Sequence, residues 1–354
     1  MKIIDRYIAL LLCKTVFAAL AVLLALFSFL SLIDQLEETG RGNYGVLQAV
    51  QYVALIMPRL VYELVPIAAV IGSMAALGLL SRNNELAVLR TSGVSRERLG
   101  LSLCKGAILI VIFATVIGEF IAPYSEQSAQ YLRSIALTEQ ITMKTKYGFW
   151  SRDGTSFINI RKILFGNRVE DIYIYEFDEN ERLRTSTHAK RASYVGEQWL
   201  LEDIEQSLIG TDRVENRRLE LAAWESLLNP HVINLVTIKP QYLTLRGLYD
   251  YIGYLRKNNQ NSERYEQALW SKIINPFTII LMVLLAVPLV KSHSRMILLG
   301  QRIFVGCLIG IVFHIGNQVS GQLGLVYSIN PAVSATAPTL LLLAATIWLM
   351  RSNA

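Results

Sequence analysis

The run TVFAALAVLLALFSFLSLI, Thr15–Ile33, carries no charged side chain and follows directly on Lys14. A helix needs about 20 mainly apolar residues to cross about 30 Å of hydrocarbon, so this stretch reads as a membrane span. It is too long for the apolar region of a signal peptide, and no small-residue cleavage site follows it. Met1–Lys14 is therefore the basic flank of a retained first span. Five more runs repeat the pattern. One ends at Leu80 and extends back past Val61 towards Gly45; the others are Leu99–Ala122, Ile273–Val290, Ile303–Val326 and Asn330–Met350. Counting about 20 residues back from Leu80 reaches Val61, which sets Arg59 near the far interface rather than at the midplane. Pro58, Pro66, Pro276, Pro288 and Pro338 are compatible with spans whose neighbours re-satisfy the backbone.

Composition agrees. The chain is 53% hydrophobic and 18% charged, against roughly 25% charged in an average soluble domain. A mean hydropathy of +0.37 is too apolar for one soluble globule, which must cover its surface with polar groups. The net charge of +6 is no nucleic-acid footprint, because many basic residues flank apolar spans, where orientation and anionic lipid account for them. Cys13, Cys104 and Cys307 lie in or beside apolar runs and form no CxxC, and the four histidines are scattered. No metal site, cofactor or nucleic-acid partner is expected.

Six spans put both termini on one side. That side carries Lys2, Arg6, Lys14, Arg82, Arg90, Arg96, Arg98, Lys105, Lys291, Arg295, Arg302 and Arg351, whereas Asp34–Gly42 is acidic and Gly324–Ile329 uncharged. The asymmetry places both termini in the cytoplasm. The polar stretch between spans three and four then faces the exterior. It opens with a helix over Pro123–Ile141 and continues with short alternating runs at Ser156–Ile160, Ile172–Phe177, Arg191–Val195, Gln198–Glu202 and Arg217–Leu221. Turn signals at Arg152–Gly154, at 165–167 and at 178–181 separate them, which predicts a small antiparallel sandwich or jelly roll. An amphipathic helix over Leu245–Arg256 leads back to the fourth span. The insertion reads equally as a spacer or as a platform whose open edge accepts a strand from another β protein. It shows no catalytic constellation.

The loop between spans two and three reads SRNNELAVLRTSGVSR, Ser81–Arg96. Asn83 or Asn84 suits a helix start, with Glu85 against the N-terminal dipole. Leu86 and Leu89 share one face, Gly93 suits the position after the last turn, and Ser95 can cap the next helix. The product is a short amphipathic helix at about 83–93, held between two spans on the cytoplasmic face. The chain has no G-x-x-x-x-G-K-[ST] phosphate loop, so any ATPase is a separate subunit.

These pieces together resemble the YjgP/YjgQ (LptF/LptG) permease family, the membrane subunits of the lipopolysaccharide exporter of Gram-negative bacteria, and its LptG branch more than its LptF branch. The resemblance is carried by Asp5-Arg6-Tyr7-Ile8, Asp34-Gln35-Leu36, the loop with Glu85, Leu86, Leu89, Arg90, Ser92 and Gly93, Gly118-Glu119 with Ala122-Pro123, Trp270-Ser271-Lys272-Ile273, and Gln318. It implies a non-catalytic permease that extracts lipopolysaccharide from the inner membrane and passes it to a periplasmic bridge. It also implies an LptF-like second permease, an LptB-like ATPase dimer docked on Asn84–Gly93, and an LptC-like membrane-anchored jelly-roll protein. Arg59 and Arg133 match family positions that hold lipid phosphates. Where the family often has lysines after span one, this chain has Ser31, Glu37 and Glu38, with Arg41 as a weak substitute.

The expected fold is thus a six-helix membrane bundle with an inserted all-β periplasmic jelly-roll-like domain. Residues 1–122 hold spans one to three, 123–266 the insertion and 267–354 spans four to six. Arg59 and Glu63, at i and i+4, read either as an intrahelical ion pair or as a marker of the phosphate level. The rival function is an FtsX-like, ATPase-coupled regulator that moves no substrate; six spans rather than four speak against it. A tethered periplasmic enzyme is a more distant alternative.

Overall fold

A computed structural model describes residues 3–138, 143–164, 168–178, 182–195, 198–210, 213–224, 239–290 and 299–352. Among them, six helical stretches are long and apolar enough to cross a membrane. These are α1 (Ile3–Leu36), α2 (Val46–Arg82), α4 (Arg96–Val116) continued by α5 (Ala122–Thr138), α7 (Glu263–Leu289), α8 (Leu299–Val326) and α9 (Pro331–Ser352). The short α3 (Glu85–Thr91) joins α2 to α4. Each apolar run of the sequence lies within one helical stretch, apart from Val290 at the end of one run and Asn330 at the start of another, and most of the helices extend past it. The third is the longest at 41 residues, roughly 60 Å at 1.5 Å per residue, so about half of it stands clear of the hydrocarbon.

The bundle is built around α2. Its most apolar stretch is 78% buried, against 17% for α1 and 11% for α8, so α1 and α8 keep faces that this chain leaves uncovered. The other face of α1 presents Ile8, Leu12, Val16 and Leu20, one per turn, to the core. At Gly72 the backbones of α1 and α2 touch: an added Cβ would lie 2.5 Å from Val16 Cα. Between α4 and α5 the helix widens into a π turn over Ile117–Ile121, and Gly118 in that turn admits the Tyr62 ring.

The insertion is all-antiparallel, as expected. Its strands are β1 (Met143–Asp153), β2 (Ser156–Leu164), β3 (Arg168–Phe177), β4 (Leu183–Val195), β5 (Gln198–Ile209) and β6 (Val214–Trp224), paired in chain order as one six-stranded meander. The turn foreseen at Arg152–Gly154 is there, with Asp153 opposite Ser156 and Gly154 at φ +59°. Residues 165–167 and 179–181 of the other two turn signals lie outside the described residues. One face of the sheet is apolar (Ile158, Ile160, Ile172, Ile174, Trp199, Leu201, Ile204). It is roofed by α6 (Leu245–Lys257) through Leu248, Tyr251 and Leu255. The amphipathic helix read from sequence is therefore the lid of the sheet. Thr244 caps it, its side chain accepting the Gly247 N–H at 3.0 Å, and Arg256 ties its far end to Glu266 of α7 at 2.8 Å.

Candidate functional site

Three clusters stand out, one at the end of the bundle that carries the termini and two at the sheet end. At the terminal end, α3 starts from Asn84, whose backbone sits at φ +60° and whose carbonyl accepts the Val88 N–H. It stops at Gly93, at φ +84°, where the Val94 N–H reaches back to the Leu89 carbonyl at 3.0 Å, closing the left-handed cap that glycine favours. Leu86 is buried and Leu89 packs against the bundle core. The pair thus fastens the helix to the bundle, while Asn84, Val88, Ser92 and Gly93 face outward. Glu85 is engaged on both oxygens, by the Tyr7 hydroxyl at 2.8 Å and the Asn83 amide at 3.1 Å. Ser95 caps α4 through the Arg98 N–H at 3.2 Å, as its place in the loop predicts. Arg90 lies in the last turn of α3.

At the sheet end, α5 lays Glu126, Gln130 and Arg133 along one face against Tyr52 and Arg59 of α2. Arg59 Nη1 meets Glu126 Oε1 at 3.4 Å, and its guanidinium stacks 4.8 Å from the Tyr242 ring centre. Gln130 bonds both Glu126 and the Tyr52 hydroxyl. Arg133 grips Glu38 with two bonds, Nε to Oε2 at 3.0 Å and Nη2 to Oε1 at 2.6 Å. The intrahelical Arg59–Glu63 pair does not form. A second helix brings the buried Glu126 to the arginine instead. Burial, then the Glu63 charge, pushes the Tyr242 phenol up to about 12, which keeps it a donor. Arg59 Nε and Glu126 Oε2 are buried with no hydrogen-bond partner among the described residues. Arg41 is exposed in the bend after α1, whose Asn43 N–H bonds the Ala136 carbonyl at 2.7 Å, so the bend is pinned to the end of α5.

The third cluster joins bundle to sheet. Lys272 of α7, buried, donates to Glu119 Oε2 at 2.9 Å and to the carbonyls of Gly118 at 3.2 Å and Leu243 at 2.6 Å. Glu119, in the π turn, also accepts the Leu245 N–H at 2.6 Å. Beside it a cavity of about 570 Å³ opens between α2, α7 and α8, with Glu63, Gln267, Asn275, His314 and Gln318 on its walls.

The arginines, the α3 loop and Gln318 are thus all placed, but in separate groups. Sequence reading missed Glu126, and it singled out Asp5 and Tyr7 only as members of one motif, with nothing to show which side chains they meet. Glu126 had a usable signal, since with Gln130 and Arg133 it makes an i, i+4, i+7 polar stripe on a helix. Glu119 and Lys272 were visible only as parts of two motifs far apart in sequence, with nothing to pair them.

Residues 6–352 match the family described as "Lipopolysaccharide export system permease LptF/LptG". The chain is 33% identical over 349 residues to the lipopolysaccharide export system permease protein LptG of Haemophilus influenzae, covering 98% of each. It is 32% identical over 351 residues to the protein of the same name from Escherichia coli K12, again covering 98% of each. With the six-helix bundle and its inserted antiparallel sheet, these matches mean that the chain belongs to the LptF/LptG family of lipopolysaccharide export system permeases.

Proposed function

We propose that this permease subunit of the lipopolysaccharide export system, a multi-pass inner-membrane protein, is the LptG-type half of an ATP-driven exporter and hydrolyses no ATP itself. It takes lipopolysaccharide from the inner membrane and passes it to a periplasmic bridge. The uncovered faces of α1 and α8 receive the lipid and an LptF-like second permease; an LptB-like ATPase dimer docks on α3; an LptC-like jelly-roll protein extends the sheet. Both termini are cytoplasmic and the sheet is periplasmic. The chain divides into 1–122, with spans one to three and the cytoplasmic α3, 123–266, the periplasmic part, and 267–354, with spans four to six.

The arginine stripe carries this reading. A multiply acylated lipid with an anionic head needs an apolar face with cations at headgroup level, and guanidinium pairs phosphate with two bonds. Arg59 and Arg133 stand at the sheet end of the bundle, in reach of such a head, each now neutralised by one carboxylate. Lipid phosphate competes for the place of Glu38 on Arg133. Lipopolysaccharide crosslinking in the assembled exporter tests this. Arg133→Ala is expected to lower it, Arg133→Lys to keep part of it, and Glu38→Gln to raise it. If the Arg59→Ala/Arg133→Ala double variant transports normally, the headgroup is held elsewhere.

A further inference from the structure

The loop that carries α3 joins α2 to α4, so the backbone alone would transmit a push on α3 to those two helices. The side chains add a third. Tyr7 of α1 holds Glu85 Oε2 at 2.8 Å, across a sequence separation of 78 residues. The turn of α1 that presents Tyr7 is itself locked. Two residues earlier Asp5, 1% exposed, takes both oxygens to Arg98 at 3.3 Å, accepts Ser102 Oγ at 2.7 Å and receives Lys105 Nζ. A carboxylate that deeply placed is costly unless its lone pairs are filled, and α4 fills them. One turn on, an added Cβ at Gly106 would lie 3.1 Å from Ala9 Cα, so the backbones of α1 and α4 run almost in contact. The start of α1 is therefore a bracket, fastened in α4 at Asp5 and reaching α3 at Tyr7.

We infer that Asp5 and Tyr7 are positioning residues of the coupling apparatus: they hold Glu85, and with it α3, in register with α1, so that a displacement of α3 by the ATPase is delivered directly to α1. The inference rests on the reading of α3 as the ATPase-facing element. Its consequence is mechanical. α1 is one of the two least covered spans, with Val22, Leu26 and Phe29 turned outward, so a movement of its first turn shifts the face that meets lipid and partner.

The test uses the complete exporter in proteoliposomes and reads lipopolysaccharide released per ATP hydrolysed, a ratio that a merely stabilising contact leaves unchanged. Tyr7→Phe removes only the hydroxyl. Tyr7 is 49% exposed, so the expected loss in the ratio is about threefold to fivefold, the scale of one exposed hydrogen bond to a carboxylate. In a Glu85→Ala background the same change is expected to do nothing further, because its partner is gone. Asp5→Asn is expected to lower the ratio as well, and Tyr7→Phe keeps the test decisive where Asp5→Asn fails to fold. The inference is overturned if Tyr7→Phe leaves the ratio intact, or if its loss multiplies fully with that of Glu85→Ala. Failure of the underlying reading looks different: Glu85→Ala and Val88→Asp would then both capture the ATPase and export normally, whatever Tyr7→Phe does.

Discussion

Replacing Lys272 by methionine keeps the length and apolar body of the side chain and removes its charge and all three donors. In the native chain each donor has an acceptor: Glu119 Oε2, the Gly118 carbonyl and the Leu243 carbonyl. Breaking a buried ion pair by deleting one partner costs about 3–5 kcal/mol. Here the Glu119 side chain is 20% exposed and keeps the Leu245 N–H, so water and the backbone recover part of that, and about 2–4 kcal/mol is expected. Thermal unfolding of detergent-solubilised protein, compared at one scan rate, reads the difference as an apparent Tm. At roughly 2–4 °C per kcal/mol the fall is several degrees. Limited proteolysis between Leu243 and Arg246 should speed up in parallel, because the anchor of that linker is gone. A Lys272→Met/Glu119→Gln variant, which buries no unpaired charge, should regain about half the lost stability. If Lys272→Met melts with the wild type, or the double variant melts no higher than the single one, the joint does not hold sheet to bundle.

Gly72→Val sets a side chain where a Cβ already falls 2.5 Å from Val16 Cα. Backbone cannot yield as a side-chain tip can, so a loss of about 3 kcal/mol or more is expected, read as an apparent Tm, while Gly316→Ala, in open space on α8, should change little. In a cysteine-free background, a cysteine at Tyr249 on the outer face of α6 should react with a membrane-impermeant thiol reagent in intact spheroplasts and one at Asn84 should not. The reverse labelling would turn the topology over.

The membrane part of the fold was legible because a span is declared by one local property, an uncharged apolar run, and the lipid solvent allows little else to form there. Five strands of the insertion announced themselves through alternation, as in Ile172–Ile174 of β3. β1 did not, because MKTKYGFWSRD alternates weakly and crowds charge and glycine into one edge strand. α3 and its glycine stop were readable from cap chemistry, which acts over a few residues. Pairings across the bundle were not. Arg59 with Glu63 was the pair that helical spacing offers, yet the structure gives the arginine to Glu126, 67 residues on. Spacing along one helix says which side chains can meet, and only the packing of α5 on α2 says which do. The acid at Glu38 shows the same limit: in sequence it looked like a departure from a basic pattern, and in space it is the partner of Arg133.

Export of lipopolysaccharide by this chain, on energy supplied by a separate ATPase, is the proposal from which all the others follow. Proteoliposomes holding this chain, its partner permease and the ATPase, loaded with labelled lipopolysaccharide and facing a soluble periplasmic acceptor, test it directly. Transfer to the acceptor is expected only when ATP is present and this chain is included, and it is expected to fall when Arg59 and Arg133 are both alanine. Transfer that proceeds equally without this chain, or steady ATP hydrolysis by the full complex with no lipopolysaccharide reaching the acceptor, would contradict it.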